Sequence, residues 1–220
     1  MRSALVTGGT GRIGRAIAAR LEGEGWAVLA AGRADGDVGN VAEAQQLVDR
    51  AVAELGRLDL LVNAAGEGFV PTPVEKLTET DWDAAFGATA KGSFFVTQAA
   101  ATHLRASRGC VVMIEDVAAY EPWPSFAAHS AAKAAQAMLT RVFARALAPE
   151  VRVCGIAPGP VAVEPEQEER RAAETLLGRV GSPEDVAAAV AYLAGADFVT
   201  GATLVVDGGR LLQSERRGKP

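Results

Sequence analysis

A single-domain α/β fold with a doubly wound parallel sheet is predicted for this chain of 220 residues by three features. Short apolar runs alternate with amphipathic segments, as expected for strands followed by helices. The strand-like runs lack period-two alternation, which indicates that both faces of the sheet are covered. No repeat or linker marks a second domain, so residues 1–212 are expected to form one domain, followed by a flexible tail, 213–220.

The predicted elements follow one another in alternation, joined by right-handed crossovers. Strand SALVT is wholly apolar apart from its ends, and the helix after it ends at a glycine. The predicted strands are 3–7, 26–31, 58–65, 110–116, 151–158 and 202–209. The predicted helices are 12–25, 41–56, 82–107, 125–149 and 183–195.

Composition excludes several classes of function. A net charge of −5 gives no reason to expect a nucleic-acid partner. No apolar run reaches the ~20 residues of a membrane helix, and the first residues run straight into a strand, so neither a membrane partner nor a secretion signal is expected. Cys110 and Cys154 lie in apolar strands, which predicts buried, reduced thiols and a cytoplasmic location. No spacing typical of a metal site is present.

The segment TGGTGRIG (7–14) lies between the first strand and the first helix, where dinucleotide-binding proteins carry a Gly-x-Gly-x-x-Gly loop. Glycines there permit a tight turn and let backbone N–H groups approach a pyrophosphate. The predicted cofactor-binding residues of this loop are Gly8, Gly9, Thr10, Gly11, Arg12, Ile13 and Gly14.

The end of the second strand indicates which dinucleotide binds. Arg33 follows that strand and Arg12 lies in the glycine loop, so two guanidinium groups could bracket a 2′-phosphate. Asp35 is a competing acid, which would favour NAD(H) through the ribose hydroxyl. NADP(H) is therefore predicted, with NAD(H) as the alternative.

Five motifs in order resemble those of the short-chain dehydrogenase/reductase family: the glycine loop, NAAG (63–66), HSAAK (129–133), APGPV (157–161) and DGG (207–209). The resemblance covers about residues 2–210 and implies a Rossmann fold, a nicotinamide cofactor and hydride exchange with a small substrate. It also implies a homodimer or homotetramer through helices 82–107 and 125–149. The further cofactor contacts that it implies are Asp37, Asn63, Ala64, Gly66, Lys133, Pro158, Gly159 and Val161.

The chain departs from the catalytic set of that family, which is Asn, Ser, Tyr and Lys. The asparagine position holds Thr89, which we expect to be structural. The serine position holds Asp116 and the tyrosine position holds His129, at the expected spacing of thirteen residues. Only Lys133 is retained. Arg12 and Asp116 are shared with the pteridine reductase branch, so a pterin-like substrate is one alternative.

A deletion is the second departure. Between the second strand and Asp37 only residues 32–36 remain, so the family's next helix and most of its third strand have no sequence to form them. We therefore expect a sheet of six main strands with an opened adenine edge. Arg33 or Asp37 would have to compensate for the lost contacts.

An imidazole one helical turn from a lysine can act as a general acid, because histidine titrates near physiological pH. Asp116, expected to end a buried strand, needs a partner. These residues predict an Asp116–His129–Lys133 catalytic set in a reductase of a small carbonyl or cyclic substrate. Two alternatives stay open: non-redox acid–base chemistry such as cyclisation or dehydration, and a nucleotide-binding protein without turnover.

Two segments are expected to enclose the substrate. Trp123, in EPWPSF, can form a wall of the pocket or pack as a rigid turn. Residues 164–181 fall where the family places its substrate lid, and they are charged at first and then apolar.

Overall fold

The structure, a computed structural model, describes residues 1–67 and 69–214. In this part of the chain six parallel strands form one sheet in the order β2-β1-β3-β4-β5-β6. The strands are β1 (Ser3–Thr7), β2 (Ala27–Ala31), β3 (Leu60–Asn63), β4 (Cys110–Ile114), β5 (Arg152–Pro158) and β6 (Thr203–Val206). The predicted doubly wound α/β fold is confirmed.

Helices cover both faces of the sheet. They are α1 (Arg12–Gly23), α2 (Val41–Leu55), α3 (Glu79–Phe86), α4 (Gly92–Ser107), α5 (Ala127–Leu147), α6 (Glu168–Ala172), α7 (Pro183–Gly195) and α8 (Arg210–Ser214). One core joins the sheet to α2, α4 and α5, and the other joins it to α1 and α7. Along β1, Leu5 enters the first core and Val6 the second, because neighbouring strand side chains point to opposite faces.

The sheet ends at β2, as the deletion predicts. Within residues 1–67 and 69–214 this strand pairs only with β1. The connection to α2 is a short loop with one turn of 3₁₀-helix at Arg33–Asp35. Asn40 then caps α2 by accepting hydrogen bonds from the N–H groups of Ala42 and Glu43. The expected third strand of the family is thus replaced by a loop.

A π-helical turn at Gly87–Lys91 separates α3 from α4, where the sequence predicted one helix over 82–107. At Gly92 an added Cβ would lie 2.8 Å from a methyl group of Val38. The helix therefore passes very close to the loop that replaces the missing strand. Such π turns insert one residue into a helix and recur at functional sites.

Several other predicted bounds differ from the structure, and two of these differences concern β4 and the tail. Strand β4 ends at Ile114 rather than at residue 116, since the chain turns into a 3₁₀-helix at Val117–Ala119. Gln213, predicted to lie in the tail, belongs to α8 and donates a hydrogen bond to the carbonyl of Ala173. The rest of the predicted tail, 215–220, lies outside the described residues.

Both cysteines are buried and unpaired, as expected for reduced thiols, while the cytoplasmic location stays a prediction. Among the described residues, no helix has the length and apolar character needed to cross a membrane.

Candidate functional site

The glycine loop packs against the NAAG segment at the carboxyl ends of β1 and β3. The Thr7 hydroxyl accepts hydrogen bonds from the N–H groups of Ala64 and Ala65 at 3.2 and 3.3 Å. Gly8 has a φ of +64°, and a Cβ there would lie 2.5 Å from the Ala64 carbonyl oxygen. At Gly14 a Cβ would lie 2.2 Å from the Gly8 carbonyl oxygen. Only glycine fits these two positions, and α1 can begin directly against the loop.

A cavity of about 250 Å³ opens at this loop and is called here the cofactor cavity. Helix α1 starts after Gly11 without a capping side chain, so its first N–H groups are available to a phosphate. The predicted residues that line this cavity are Gly8, Thr10, Gly11, Arg33, Asp37, Ala64 and Gly66. This glycine-lined cradle at a helix N-terminus fits a dinucleotide.

Three predicted cofactor residues support the loop and do not line a cavity described here. Gly9 packs on β2, where a Cβ would lie 2.8 Å from the Cα of Ala30. Gly14 brings α1 against the loop. Asn63 is buried, and its side-chain amide donates to the hydroxyl of Thr97 at 2.9 Å. These residues act through packing.

The two arginines predicted to bracket a 2′-phosphate lie apart. Arg33 lines the cofactor cavity and pairs with Glu67. Arg12 instead donates to the Ala162 carbonyl at 2.6 Å and pairs with Glu164, so it faces the segment after β5. The predicted arginine pair is therefore not formed.

The competing acid is also held away from the cofactor cavity. The carboxylate of Asp35 accepts a hydrogen bond from the N–H of Gly32 at 2.8 Å and pairs with Arg50 at 3.0 Å. These contacts lower the pKa of Asp35, the backbone hydrogen bond most. Asp35 does not line the cofactor cavity.

A larger cavity of about 790 Å³, called here the substrate cavity, lies at the carboxyl ends of β4 and β5. It adjoins the cofactor cavity, because Ala64 and Gly66 line both. The predicted residues that line it are Arg12, Ile13, Ala64, Gly66, Asp116, His129, Lys133, Pro158, Gly159 and Val161. Its volume is typical of small-molecule sites.

His129 and Asp116 meet in the substrate cavity. The His129 ring is 6% exposed, and its Nε2 lies 3.4 Å from Oδ2 of Asp116, at the long end for a hydrogen bond. The other oxygen of Asp116 accepts from the N–H of Ala118 at 2.8 Å. The prediction that Asp116 ends a buried strand is wrong. Its side chain is 22% exposed and caps the turn after β4.

Lys133 lines the same cavity but forms its own buried contacts. Its ammonium group donates to the carbonyl of Ile114 at 2.7 Å and to the side-chain oxygen of Gln136 at 3.1 Å. Burial lowers the pKa of Lys133, opposed by the charges of Asp116 and Glu115. In the described part of the chain the three predicted groups share one cavity without forming a continuous hydrogen-bonded chain.

Glu115 was not predicted as a site residue, yet it lines the same cavity and is 2% exposed. Its carboxylate accepts hydrogen bonds from the hydroxyls of Thr140 at 2.6 Å, Tyr120 at 2.8 Å and Thr203 at 3.3 Å. Gly155 leaves room for it, because a Cβ there would lie 2.0 Å from Oε1 of Glu115. The protein thus holds a second carboxylate behind the site.

Thr89, whose expected structural role stays a prediction, belongs to the turn before α4. It is fully buried in the π-helical turn, and its hydroxyl has no hydrogen-bond partner among the described residues. A Cβ on Gly66 would lie 3.8 Å from both this hydroxyl and Nζ of Lys133. Because buried hydroxyls are normally hydrogen-bonded, this one is available to a bound group or water.

Aromatic side chains form one wall of the substrate cavity. Phe69 stacks on Phe126 with ring centres 4.6 Å apart and contacts His129 edge-to-face at 4.9 Å. Trp123 packs edge-on against Phe69 at 6.2 Å, and so it lies in the cavity wall. The predicted lid contributes Glu164, Gln167, Arg170 and Arg171 to the lining.

No group of three or more metal-binding side chains occurs within residues 1–67 and 69–214.

Comparisons with known proteins agree with this arrangement. A family model described as enoyl-(acyl carrier protein) reductase matches residues 30–210. A 3beta-hydroxysteroid dehydrogenase from Eggerthella lenta is 35% identical over 246 residues, covering 96% of this chain and 94% of the relative. A short-chain dehydrogenase/reductase from Serratia marcescens has a TM-score of 0.86 and 33% identity, over 95% of this chain and 97% of that one. A 3-ketoacyl-(acyl-carrier-protein) reductase from Brucella melitensis, complexed with NADH, has a TM-score of 0.90 and 25% identity, over 95% and 98% of the two chains.

The relative and the solved structures match nearly the whole chain, whereas the family model begins at residue 30, after the glycine loop. The proteins are oxidoreductases, and the family uses a nicotinamide cofactor. The chain belongs to the short-chain dehydrogenase/reductase family of oxidoreductases.

Proposed function

We propose that this oxidoreductase transfers a hydride from NADPH to the carbonyl carbon of a small cyclic or carbonyl substrate, with His129 as the proton donor. The observation that carries the proposal is the His129 Nε2–Asp116 contact inside a cavity that adjoins the cofactor cavity. The 3beta-hydroxysteroid dehydrogenase relative acts, by its name, on a cyclic substrate, which supports this class of compound.

The residues of the chain supply the proton and its stabilisation. A nicotinamide, when bound, would supply the hydride that reduces the carbonyl carbon and would be left oxidised. The electron pair of the C=O π bond moves to the oxygen, which replaces Oδ2 of Asp116 as the acceptor of the Nε2–H group of the His129 imidazolium and takes its proton, and an alcohol forms. Asp116 stabilises the imidazolium before transfer, and the edge-to-face contact with Phe69 fixes the ring.

Lys133 positions the cofactor in this proposal. An ammonium group has three N–H donors, and Ile114 and Gln136 accept two of them. The third remains for a ribose hydroxyl, the role that the family resemblance implies. Lys133 lies close to Gly66, which lines both cavities, so its charge is placed where they join.

The cofactor preference rests on Arg33 and Asp35. Arg33 lines the cofactor cavity, while Asp35 is held by Arg50 and does not line it. A guanidinium that lines the cavity favours the 2′-phosphate of NADP(H), which would replace Glu67 as the partner of Arg33. Fluorescence titration should show tighter binding of NADPH than of NADH. Arg33→Ala should weaken NADPH binding about tenfold and leave NADH binding nearly unchanged; equal weakening of both would exclude this role of Arg33.

The proton donor is tested by two substitutions at one position. His129→Phe should lower turnover at least about tenfold, because general acid catalysis typically contributes 10²–10⁴-fold. Cofactor affinity should not change. His129→Tyr should keep turnover, because a phenol can also donate a proton to the carbonyl oxygen. Unchanged turnover of His129→Phe would remove this residue from the mechanism.

We also infer that the protein is a homodimer or homotetramer through α4 and α5. On α5, Met138 is 54% and Val142 47% exposed, although both are apolar. Multi-angle light scattering should give a mass of two or four chains. Replacing both residues by Glu should then yield monomers, and a monomeric starting protein would disprove the inference.

A further inference from the structure

The end of the substrate cavity nearest the lid is positively charged. Three arginines line it there: Arg170 and Arg171 from α6, and Arg210 from α8. Of the acidic residues of the lid, Glu164 lines the cavity and is paired with Arg12, whereas Glu168 and Glu169 of α6 do not line it. The end of the cavity that the three arginines line therefore favours an anionic group over a neutral or cationic one.

The three arginines are incompletely neutralised. Arg210 pairs with Glu121 at 3.2 Å and with Glu174, and Arg171 pairs with Glu174 at 3.1 Å. Neither glutamate lines the cavity. Arg170 reaches only to 4.0 Å from Glu174, and its side chain is 64% exposed. Two carboxylates, those of Glu121 and Glu174, therefore form the ion pairs of three guanidinium groups, and Arg170 has the longest of these contacts.

The aromatic wall connects this charged end to the proposed proton donor. The guanidinium of Arg210 lies 5.0 Å from the ring centre of Trp123, on its face. Trp123 contacts Phe69, which in turn contacts His129. The cavity therefore has a cationic end, an apolar aromatic wall and an acid–base pair in succession.

We propose that the substrate is an anionic carbonyl compound, whose anionic group is bound by Arg170 and Arg171 while its apolar ring packs on the aromatic wall. This inference rests on the proposed function, since it places the carbonyl at His129. Guanidinium groups match carboxylates in geometry and bind them through two parallel hydrogen bonds. Arg170 has the least protein contact to give up, so it is the main determinant of specificity.

A matched substrate pair tests the proposal. The reductase assay with NADPH compares 4-formylbenzoate with its neutral methyl ester. The wild-type kcat/KM should be at least about tenfold higher for the anion, as expected for a charge-assisted contact. Arg170→Gln should remove about tenfold of kcat/KM for the anion and change the ester less than about twofold, while Arg170→Lys should restore part of the preference.

Arg20→Gln is the control, because it removes an exposed arginine on α1 that pairs with Glu24 and does not line the cavity. It should leave both substrates unchanged. Equal kcat/KM for the two substrates in the wild type, or equal losses in Arg170→Gln, would overturn the proposal.

Equilibrium binding separates this proposal from the proposed function. Tryptophan fluorescence should report binding of terephthalate at least about tenfold tighter than that of dimethyl terephthalate, and Arg170→Gln should abolish the difference. If neither aldehyde is reduced but this binding pattern holds, the anion site stands and the proposed reaction is wrong. If terephthalate binds no tighter than its ester, the anion site is wrong whatever the turnover.

Discussion

The fit between Gly155 and Glu115 gives a quantitative test of the site's construction. An alanine Cβ at position 155 would lie 2.0 Å from Oε1 and 2.5 Å from Cδ of Glu115, far inside normal contact distance. Overpacking a buried site typically costs 1–3 kcal/mol, and this contact is severe, so we expect Gly155→Ala to cost about 2–3 kcal/mol. For a chain of this size that loss corresponds to a fall in Tm of roughly 4–12 °C.

A double-mutant cycle assigns this cost to the carboxylate. In a Glu115→Ala background the clashing atoms are gone, and the nearest remaining atom, the Thr203 hydroxyl oxygen at 2.9 Å, can rotate away. Gly155→Ala should then cost less than about 1 kcal/mol, which gives a coupling of about 2 kcal/mol. Glu115→Gln preserves the size of the side chain and serves as the control, so there Gly155→Ala should stay costly.

Urea unfolding followed by circular dichroism, at one protein concentration, measures all six free energies of unfolding. The refuting result is a Gly155→Ala cost that is the same in the wild-type and Glu115→Ala backgrounds. Position 155 would then tolerate or reject a methyl group for reasons unrelated to Glu115.

Three further outcomes are expected. Gly14→Ala places a Cβ 2.2 Å from a carbonyl oxygen of the glycine loop, so it should lower NADPH affinity at least about tenfold in a fluorescence titration. Gly23→Ala in the same helix is the control, because no atom lies within 4 Å of its Cβ, and it should leave the affinity unchanged. Similar affinities of the two variants would contradict the packing of the loop. Burial lowers the pKa of Lys133 from its ordinary 10.5, so kcat/KM should fall with rising pH at a pH below 10.5. Lys133→Arg should not show this fall, because a guanidinium group stays charged. The same fall in both proteins would mean that another group causes it. Burial raises the pKa of Cys110 to about 12 and also raises the pKa of Cys154. Ellman's reagent at pH 8 should therefore react with neither thiol until guanidinium chloride unfolds the chain. Rapid reaction of the folded protein would show that the thiols are accessible.

The sheet could be predicted because each strand is a continuous apolar run and each helix is amphipathic. The loss of the family's next helix and strand after β2 could also be predicted, because a segment as short as Gly32–Gly36 cannot form both. The π-helical turn at Gly87–Lys91 could not be predicted, since the helical pattern continues through it.

The Asp116–His129 contact followed from the spacing of family motifs, whereas the partners of Glu115 did not. Side chains of adjacent residues in extended backbone point to opposite sides. The adjacent acidic residues Glu115 and Asp116 therefore indicate, from the sequence alone, that one carboxylate faces the interior. Which one does so depends on Thr140 and Thr203, distant in the chain. Arg12 was misplaced for the same reason: its partner Glu164 lies 152 residues away.

Arg12 starts the helix of the cofactor cavity, yet its guanidinium is bonded to the lid segment through Ala162 and Glu164. One side chain thus links the start of α1 to the segment after β5. A ligand that draws Arg12 away from Glu164 breaks the contact between this side chain and the lid segment. Binding free energies are reciprocal, so a second ligand that stabilises the Arg12–Glu164 contact must weaken the affinity for the first ligand by the same factor. Any such coupling would pass through a single exposed ion pair, so its strength should fade as ionic strength rises.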